Sequence, residues 1–295
     1  MIATMRNSFP FNLKSFRILI LLTLSLAAQA FLDASPFFWK VEREGGVSYL
    51  MGTIHSSHPD VRNIPDPVME ALTQSRVFLP ELDLSYENMG RMTAAAFNFG
   101  GEPWEEKIPE RLHSRLRSAA ERIGLPEFML RNLAFEMIPV FFALPPDEDF
   151  FQVMDVRLYR EAREREIDIV ALETIDEQLA VFRNLENATI IELIEEALDE
   201  VEQGYPQYRR LIEAYASGRE SVILEIIGEL KEKGTETYVE ALLDQRNQTM
   251  TERALPLLEE GGAFVAVGLA HLLGPGGMIE LIQAHGYTVT RLNGE

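Results

Sequence analysis

The apolar segments near the two ends of the chain constrain the fold most. Residues 263–268 read AFVAVG, a run with almost no polar position, which is typical of a strand buried within a parallel sheet. Residues 37–53 read FFWKVEREGGVSYLMGT and predict a β-hairpin, in which Gly45 and Gly46 can supply the positive φ of the turn. We therefore predict a single sheet completed by both ends of the chain.

The segment between these ends, from about residue 85 to 258, is predicted to be helical. Its apolar residues recur near every 3.6 positions, and glycines or prolines end the successive segments. Pro139 is expected to kink or break the apolar helix of residues 125–144. A short strand at 167–172 interrupts the series. The fold class is therefore α/β (α+β), with a central mixed sheet formed by both ends of the chain and a large helical insertion at about 85–258.

The first thirty residues have the pattern of a secretory signal peptide. Arg6, Lys14 and Arg17 precede the apolar run ILILLTLSLAA and the small-residue sequence AQA, so cleavage is expected after Ala30. An uncleaved membrane anchor is the alternative. Residues 31–295 are then one exported domain, periplasmic or secreted. No later apolar run in the sequence is long enough to span a membrane, so no membrane attachment is expected after cleavage.

Composition excludes several kinds of chemistry and partner. The 295 residues include no cysteine, which rules out disulfides, zinc–cysteine sites and a thiol nucleophile. The formal net charge of −20 argues against nucleic-acid binding, which requires a basic face. HExxH and GxSxG motifs are missing from the sequence, so an ordinary zincin or serine hydrolase is not expected. The substrate is expected to be a peptide or a small molecule.

Two G-x-x-H motifs follow predicted strands, one ending at His55 and the other at His271. Glu81 and Glu173 also follow predicted strands, and ligands of open α/β sheets bind beyond the carboxyl ends of strands. Two imidazoles with one or two carboxylates can bind a divalent metal. The same groups without a metal can perform general acid–base chemistry. The alternative is that each histidine only caps a strand end through the backbone.

Other polar residues near these motifs have simpler explanations. His58 lies three residues beyond His55 and can be a second ligand, although a turn residue before Pro59 is the better interpretation. Asp155 and Arg157 can reach the same region, but salt bridges along a helix explain them. The sequence GPGG at 274–277 can present backbone N–H groups to an anion.

Several segments together resemble the TraB/GumN family, which includes the Tiki metalloproteases of animals. The resemblance runs from about residue 37 to 292 and rests on YLMGTIHSSH, VFLPELDLS, ALETIDEQLAVF, LLDQRNQTMTERALPLL and FVAVGLAHLLGPGGMIELIQAHGYTVTRL. It implies a fold akin to erythromycin esterase and the haem-binding ChaN protein. It also implies functional roles for His55, His271, Glu81 and Arg246, and a divalent metal, with manganese or cobalt favoured and zinc as the alternative.

The resemblance also bears on individual residues. Glu173 lies in ALET, which matches the family pattern, as a ligand or as a residue that orients one. Pro80 before Glu81 departs from the pattern, since proline is tolerated only at the edge or end of a strand. Arg246 can hold a substrate carboxylate or stabilise an oxyanion; its helix position alone favours a surface arginine paired with a helix glutamate.

These observations predict an exported metal-dependent hydrolase, with peptidase as its particular form. His55, His271 and Glu81 are the predicted metal ligands, and Glu81, Arg246 and Glu173 the predicted catalytic residues. The alternative is a non-catalytic exported binder of metal, haem or an envelope component. A third hypothesis is a metal-free esterase.

Overall fold

A six-stranded mixed sheet forms the centre of the molecule. The structure is a computed structural model that describes residues 37–233 and 236–292, so the predicted signal peptide at 1–30 lies outside it. The strand order is β4-β3-β5-β2-β1-β6. In chain order the strands are β1 (Phe38–Arg43), β2 (Gly46–Thr53), β3 (Val77–Pro80), β4 (Asp168–Ile169), β5 (Ala263–Gly268) and β6 (Thr288–Arg291).

Strand pairing confirms that both ends of the chain complete one sheet. β1 pairs with β2 and with β6 in antiparallel orientation. β5 lies between β2 and β3 and is parallel to both, which explains why its sequence is apolar at nearly every position. β4 joins the far edge, parallel to β3, but spans two residues where the sequence predicted six. After β4 the chain still lies beside the end of β3, because the N–H groups of Leu172 and Glu173 donate to the carbonyls of Pro80 and Glu81.

The helices lie mainly between β3 and β5, as predicted. They are α1 (Asp66–Gln74), α2 (Tyr86–Ala96), α3 (Glu110–Arg122), α4 (Glu127–Arg131), α5 (Ile138–Phe142), α6 (Met154–Glu164), α7 (Ile175–Arg183), α8 (Asn187–Gln203), α9 (Pro206–Ala216), α10 (Glu220–Lys233), α11 (Glu236–Val239), α12 (Gln245–Glu259), α13 (Leu269–Leu272) and α14 (Met278–Ala284). A π-helical turn, Glu240–Asp244, joins α11 to α12.

Two hydrophobic clusters support these elements. The larger one packs against the sheet and includes Phe78, Leu79 and Phe264. The second lies within the helical insertion, where Trp104 and Phe142 are buried with residues of α3 and α8. The insertion therefore has its own core, and its α3–α5 region can form a wall beside the sheet without being part of it.

Two local predictions need correction. The break in residues 125–144 does not fall at Pro139, which is the second residue of α5. It falls earlier, where Leu133 forms an isolated bridge with Phe97, because backbone pairing outside the helix replaces the helical hydrogen bonds there. In the hairpin, Glu44 and Gly45 have positive φ while Gly46 already belongs to β2, as in a two-residue type I′ turn.

Gly52 is the first residue of the G-x-x-H motif that ends at His55. It lies against Leu269, which follows Gly268, the first residue of the other motif. A Cβ at Gly52 would lie 2.5 Å from Leu269 Cδ1 and 3.3 Å from Leu269 Cα. Tyr215 also donates its hydroxyl to the Gly52 carbonyl at 2.6 Å. The glycine therefore permits close packing between the two strand ends.

We expect Gly52→Ala to lower the free energy of unfolding by about 1–3 kcal/mol, because the added methyl overpacks a buried contact. Urea unfolding followed by circular dichroism measures the change. Gly90→Ala is the control: Gly90 lies in α2 with no atom within 4 Å of an added Cβ, so this change should stabilise by about 0.5–1 kcal/mol. Equal effects at the two positions would contradict the packing argument.

Candidate active site

The carboxyl ends of four strands bring the predicted site residues to one edge of the sheet. His55 follows β2, Glu81 follows β3 and His271 follows β5. Because β5 lies between β2 and β3 and is parallel to both, the three strands end at the same edge of the sheet. Glu173, four residues beyond the end of β4, donates its backbone N–H to the Glu81 carbonyl at 2.8 Å. The sequence separations between these residues are large, but strand pairing makes their backbones neighbours.

The Glu81 carboxylate lies at the centre of this group. Its Oε1 accepts the backbone N–H of Gly268 at 2.6 Å and lies 3.9 Å from His271 Nε2. Its Oε2 accepts from Arg246 Nη2 at 3.1 Å and from Gln178 Nε2 at 3.2 Å. The carboxylate is buried, yet both of its oxygens have donors. Pro80 is the last residue of β3, where a proline is tolerated.

The charge state of Glu81 follows from these neighbours. Burial disfavours the carboxylate anion, but the nearby charges of Arg246 and His55 and the Gly268 N–H hold the pKa of Glu81 below its usual value, and His271 adds to this only when its ring is protonated. We therefore treat Glu81 as ionised at neutral pH. An ionised, buried and hydrogen-bonded carboxylate can bind a cation or accept a proton.

Arg246 connects Glu81 to Glu173. Its Nε and Nη2 donate to the two carboxylate oxygens of Glu173 at 2.8 and 2.6 Å, a bidentate pair, and Nη1 donates to the Leu242 carbonyl at 3.2 Å. The Arg246 side chain is only 12% exposed, so the interpretation as a surface arginine is wrong. Leu242 belongs to the π-helical turn, a distortion that is frequent at functional sites.

His271 is held as a neutral imidazole that directs its Nε2 towards Glu81 Oε1, 3.9 Å away. Its Nδ1 bonds to Asn247 Oδ1 at 2.7 Å, and Asn247 Nδ2 donates to the Gly276 carbonyl at 2.9 Å. Because the Asn247 oxygen must accept, Nδ1 of His271 carries the proton and Nε2 keeps its lone pair, facing Glu81. Burial lowers the pKa of His271 to about 4, which keeps the ring neutral.

His55 has an analogous arrangement but is more open. Its Nδ1 lies 2.9 Å from Asp155 Oδ2, and Asp155 Oδ1 accepts the Thr53 hydroxyl at 2.6 Å. The His55 side chain is 61% exposed. The Asp155 carboxylate raises the pKa of His55 to about 9. The interpretation of Asp155 as a helix salt-bridge residue is therefore wrong, since it bonds to the end of β2.

Asp155→Asn should bring the pKa of His55 back towards its ordinary value of 6.5, because the amide keeps a hydrogen-bond acceptor but loses the charge. A folded-state pKa raised from 6.5 to about 9 stabilises the fold fully below pH 6.5, and this contribution disappears as pH rises through about 9. The variant should lose that pH dependence of unfolding.

NMR titration of the His55 ring in chelator-treated protein tests this prediction. Asp149→Asn is the control, because Asp149 bonds to the backbone N–H of Phe151 and not to His55. An unchanged His55 titration in Asp155→Asn would contradict the assigned cause.

A cleft of about 680 Å³ opens over this edge of the sheet. His55, Glu81, Asp155 and Gln178 lie at its polar end, and the rest of its lining is largely apolar. The helical insertion supplies most of that lining, including residues from 123 to 150. His55 and Glu81 are thus accessible from one side through an apolar cavity, the usual form of a small-ligand site.

The side chains fit a divalent metal in kind. His55 and His271 each have Nδ1 bonded to an oriented acceptor, the arrangement that metal-binding histidines usually show, and Glu81 supplies a carboxylate. Within residues 37–233 and 236–292, however, no three His, Cys, Asp or Glu side chains form a group that could hold a metal ion. Glu81 instead accepts hydrogen bonds from Gly268 and Arg246.

His58 and the GPGG sequence lie beside the site. His58 is exposed, and its Nδ1 accepts the Asp60 N–H at 3.3 Å, which is consistent with a turn residue. In the GPGG sequence, the Gly276 carbonyl accepts from Asn247 and its N–H donates to Glu280. This sequence therefore positions Asn247, the residue that orients His271.

The fold and this site define a class: an α/β protein with two histidines, two glutamates and a buried arginine at the carboxyl end of its sheet. The profile of the TraB/PrgY/gumN family matches residues 37–291, and the chain belongs to that family. It is 25% identical over 314 aligned residues to a relative from Nematostella vectensis named "Metalloprotease TIKI homolog".

That alignment covers 86% of this chain and 66% of the relative, so the chain spans just under two thirds of the relative's length. No solved structure matches the chain significantly. Across the part of the chain that the structure describes, we find no helix with the length and apolar character needed to cross a membrane.

Proposed function

We propose that the protein is an exported metal-dependent hydrolase that cleaves peptide bonds. The observation that carries the proposal is the pairing of a neutral, oriented His271 with an ionised Glu81 at the polar end of an apolar cleft, with His55 at the same end. Family membership and the relative named as a metalloprotease support the same class. The N-terminal signal-peptide pattern supports export.

In this proposal His55, His271 and Glu81 would hold a divalent ion, with manganese or cobalt favoured over zinc, and His55, whose pKa is raised to about 9, would release its Nε2 proton on binding. When bound, such an ion supplies Lewis-acid chemistry that polarises a carbonyl. Asp155 and Asn247 hold the two imidazoles so that each directs Nε2 away from its bonded partner. Glu81 also serves as the group that accepts a proton at its carboxylate, which its lowered pKa keeps ionised.

Arg246 and Glu173 are positioning residues in this proposal. Three nitrogens of Arg246 already donate to Glu173, Glu81 or Leu242, so its guanidinium acts through Glu81 and keeps that carboxylate charged. Glu173 in turn fixes Arg246 by the bidentate pair. The direct substrate contact considered for Arg246 from the sequence is therefore not part of the proposal.

The test is metal content and peptide cleavage measured on one set of proteins. The mature wild-type chain, His55→Ala and His271→Ala are each purified, incubated with manganese, cobalt or zinc, and analysed by atomic emission. We expect near-stoichiometric metal in the wild type, loss of that metal in both variants, and peptide cleavage that a chelator abolishes. Absence of bound metal in the wild type after incubation would reject the proposal.

A non-catalytic binder is the second candidate, and one observation favours it. His55 is exposed within a largely apolar cleft, as an axial ligand to haem would be. Mixing the protein with haem would then produce a visible absorption band that His55→Ala removes. A metal-free esterase would instead retain ester hydrolysis in chelator.

A further inference from the structure

The side chains that line the apolar part of the cleft favour one kind of ligand. We propose that this cavity is a subsite for an uncharged peptide segment with large apolar side chains, so that cleavage occurs beside such residues. This inference rests on the proposed hydrolase function.

The walls of the cavity are formed by apolar side chains that remain partly exposed. Leu144 and Phe150 are 40% and 44% exposed, although apolar side chains of this size are usually buried. The wall residues come from the helical insertion and include Leu125, Met129, Val140, Phe141, Leu144 and Phe150. Apolar surface left open beside a polar group marks a ligand site.

The same walls offer few hydrogen-bond donors. Pro126, Pro145 and Pro146 line the cavity, and proline has no backbone N–H. A substrate main chain buried among these residues would lose its hydrogen bonds to water without replacement. The cavity therefore suits the side chains of a peptide, while the main chain keeps its polar groups near the floor and the opening.

In the metal-free protein, the carboxylates around the cavity disfavour an anionic occupant. Glu81 and Asp155 lie at the polar end and Glu148 lies on the rim, and His55 is the one side chain among the described lining residues that can carry a positive charge. The formal net charge of the chain is −20. A fatty-acid carboxylate or an acidic peptide would meet these anions at short range, whereas a neutral apolar segment would not.

The cavity is continuous with the proposed reacting groups, since His55 and Glu81 line the same space as Phe141 and Leu144. Its volume of about 680 Å³ falls within the usual range for small-ligand sites, about 300–1,000 Å³. A bond held at the polar end therefore places the neighbouring side chains of the substrate against the walls. The apolar side chain that fills the cavity therefore belongs to a residue close in sequence to the bond that is cut.

The rim of the cavity is tied to the loop that follows His55. Glu148 accepts from the Ser56 and Ser57 hydroxyls at 2.9 and 2.7 Å, and the Tyr208 hydroxyl also donates to it. Ser57 in turn accepts the Asp149 N–H at 2.8 Å. The segment carrying Leu144 and Phe150 is thereby held beside His55, so the subsite is pre-formed and binding need not order it.

The test measures peptide binding by calorimetry on the full mature chain after chelator treatment, so that no cleavage occurs. The probes are three blocked hexapeptides with Gly and Ser flanks and a central Leu-Phe, Ser-Ser or Glu-Glu pair. We expect the Leu-Phe peptide to bind about 10- to 100-fold tighter than the Ser-Ser peptide, with a negative heat-capacity change. The Glu-Glu peptide should bind most weakly.

Two matched variants separate the subsite from a general effect of charge. Leu144→Glu should remove the preference for Leu-Phe, because it places a carboxylate in the wall. Val47→Glu is the control: Val47 is 37% exposed, close to the 40% of Leu144, and lies at the start of β2, away from the cleft. Equal binding of the Leu-Phe and Ser-Ser peptides, or an unchanged preference in Leu144→Glu, would overturn the inference.

Cleavage assays with added manganese, cobalt or zinc then distinguish the two proposals. If the Leu-Phe peptide binds selectively but is never cut, the hydrolase proposal fails and the subsite stands. If all three peptides are cut equally well, the subsite fails and the hydrolase stands. Binding of an uncharged monoacylglycerol with no selective binding of the Leu-Phe peptide would overturn the assignment to a peptide.

Discussion

Replacing His55 and His271 together by alanine is expected to lower kcat/KM for peptide cleavage about a thousandfold or more. The pair supplies two of the three proposed metal donors, and losing the Lewis acid removes several kcal/mol of transition-state stabilisation. Steady-state kinetics with the activating metal measures the loss. Activity within about tenfold of the wild type in a folded double variant would contradict the proposed roles.

The two histidines differ in what their removal does to the fold. His271→Ala leaves the buried Asn247 oxygen without its partner and should lower the free energy of unfolding by about 1–3 kcal/mol. His55→Ala removes a ring that is 61% exposed but also removes the partner of the Asp155 carboxylate, so its free energy of unfolding is measured at the assay pH before its kinetic defect is assigned to function. His58→Ala is the matched control in the same loop, where His58 is exposed and bonds only locally, and it should retain activity.

The sequence predicted the parts of the site that local patterns encode. An apolar strand followed by G-x-x-H can be recognised from a short window, and parallel pairing then requires His55, Glu81 and His271 to approach. The same holds for the capping box of α7, where Thr174 and Glu177 bond reciprocally, since a threonine followed three residues later by a glutamate is a local signal of a helix start. These elements depend on neighbouring residues and on general rules of sheet pairing.

The residues that orient the histidines were not predictable in this way. Asp155 lies 100 residues from His55, and Asn247 lies 24 residues from His271. Each is one of many acidic or amide residues on an amphipathic helix, where solvent exposure is the usual explanation. Tertiary packing alone decides that α6 and α12 direct these two side chains at the strand ends. A signal did exist for Asn247, because it follows Arg246 directly.

Arg246→Met is expected to lower the free energy of unfolding by about 3–5 kcal/mol at pH 7. Arg246 is the cation between two buried carboxylates, Glu81 and Glu173, and removing one member of a buried ion group leaves the other charges uncompensated. Chemical denaturation at fixed pH measures the effect. Arg131→Met in α4 is the control, because Arg131 pairs with Glu127 where both side chains are more than half exposed, and such a pair contributes about 0–1 kcal/mol.

The pH dependence of the stability lost in Arg246→Met shows whether the loss comes from missing charge compensation or from missing packing. In the wild type the pKa of Glu81 is held below 4.5, so ionised Glu81 stabilises the fold above pH 4.5 and this contribution is lost as pH falls through the lowered pKa. Without Arg246, burial and the neighbouring Glu173 carboxylate should raise the pKa of Glu81, which gives a penalty at pH 7 that disappears on acidification. The stability difference between wild type and Arg246→Met should therefore shrink between pH 7 and pH 5. A difference that stays constant over this range would mean that the arginine stabilises the protein by its packing, and the electrostatic role assigned to it towards Glu81 would be wrong.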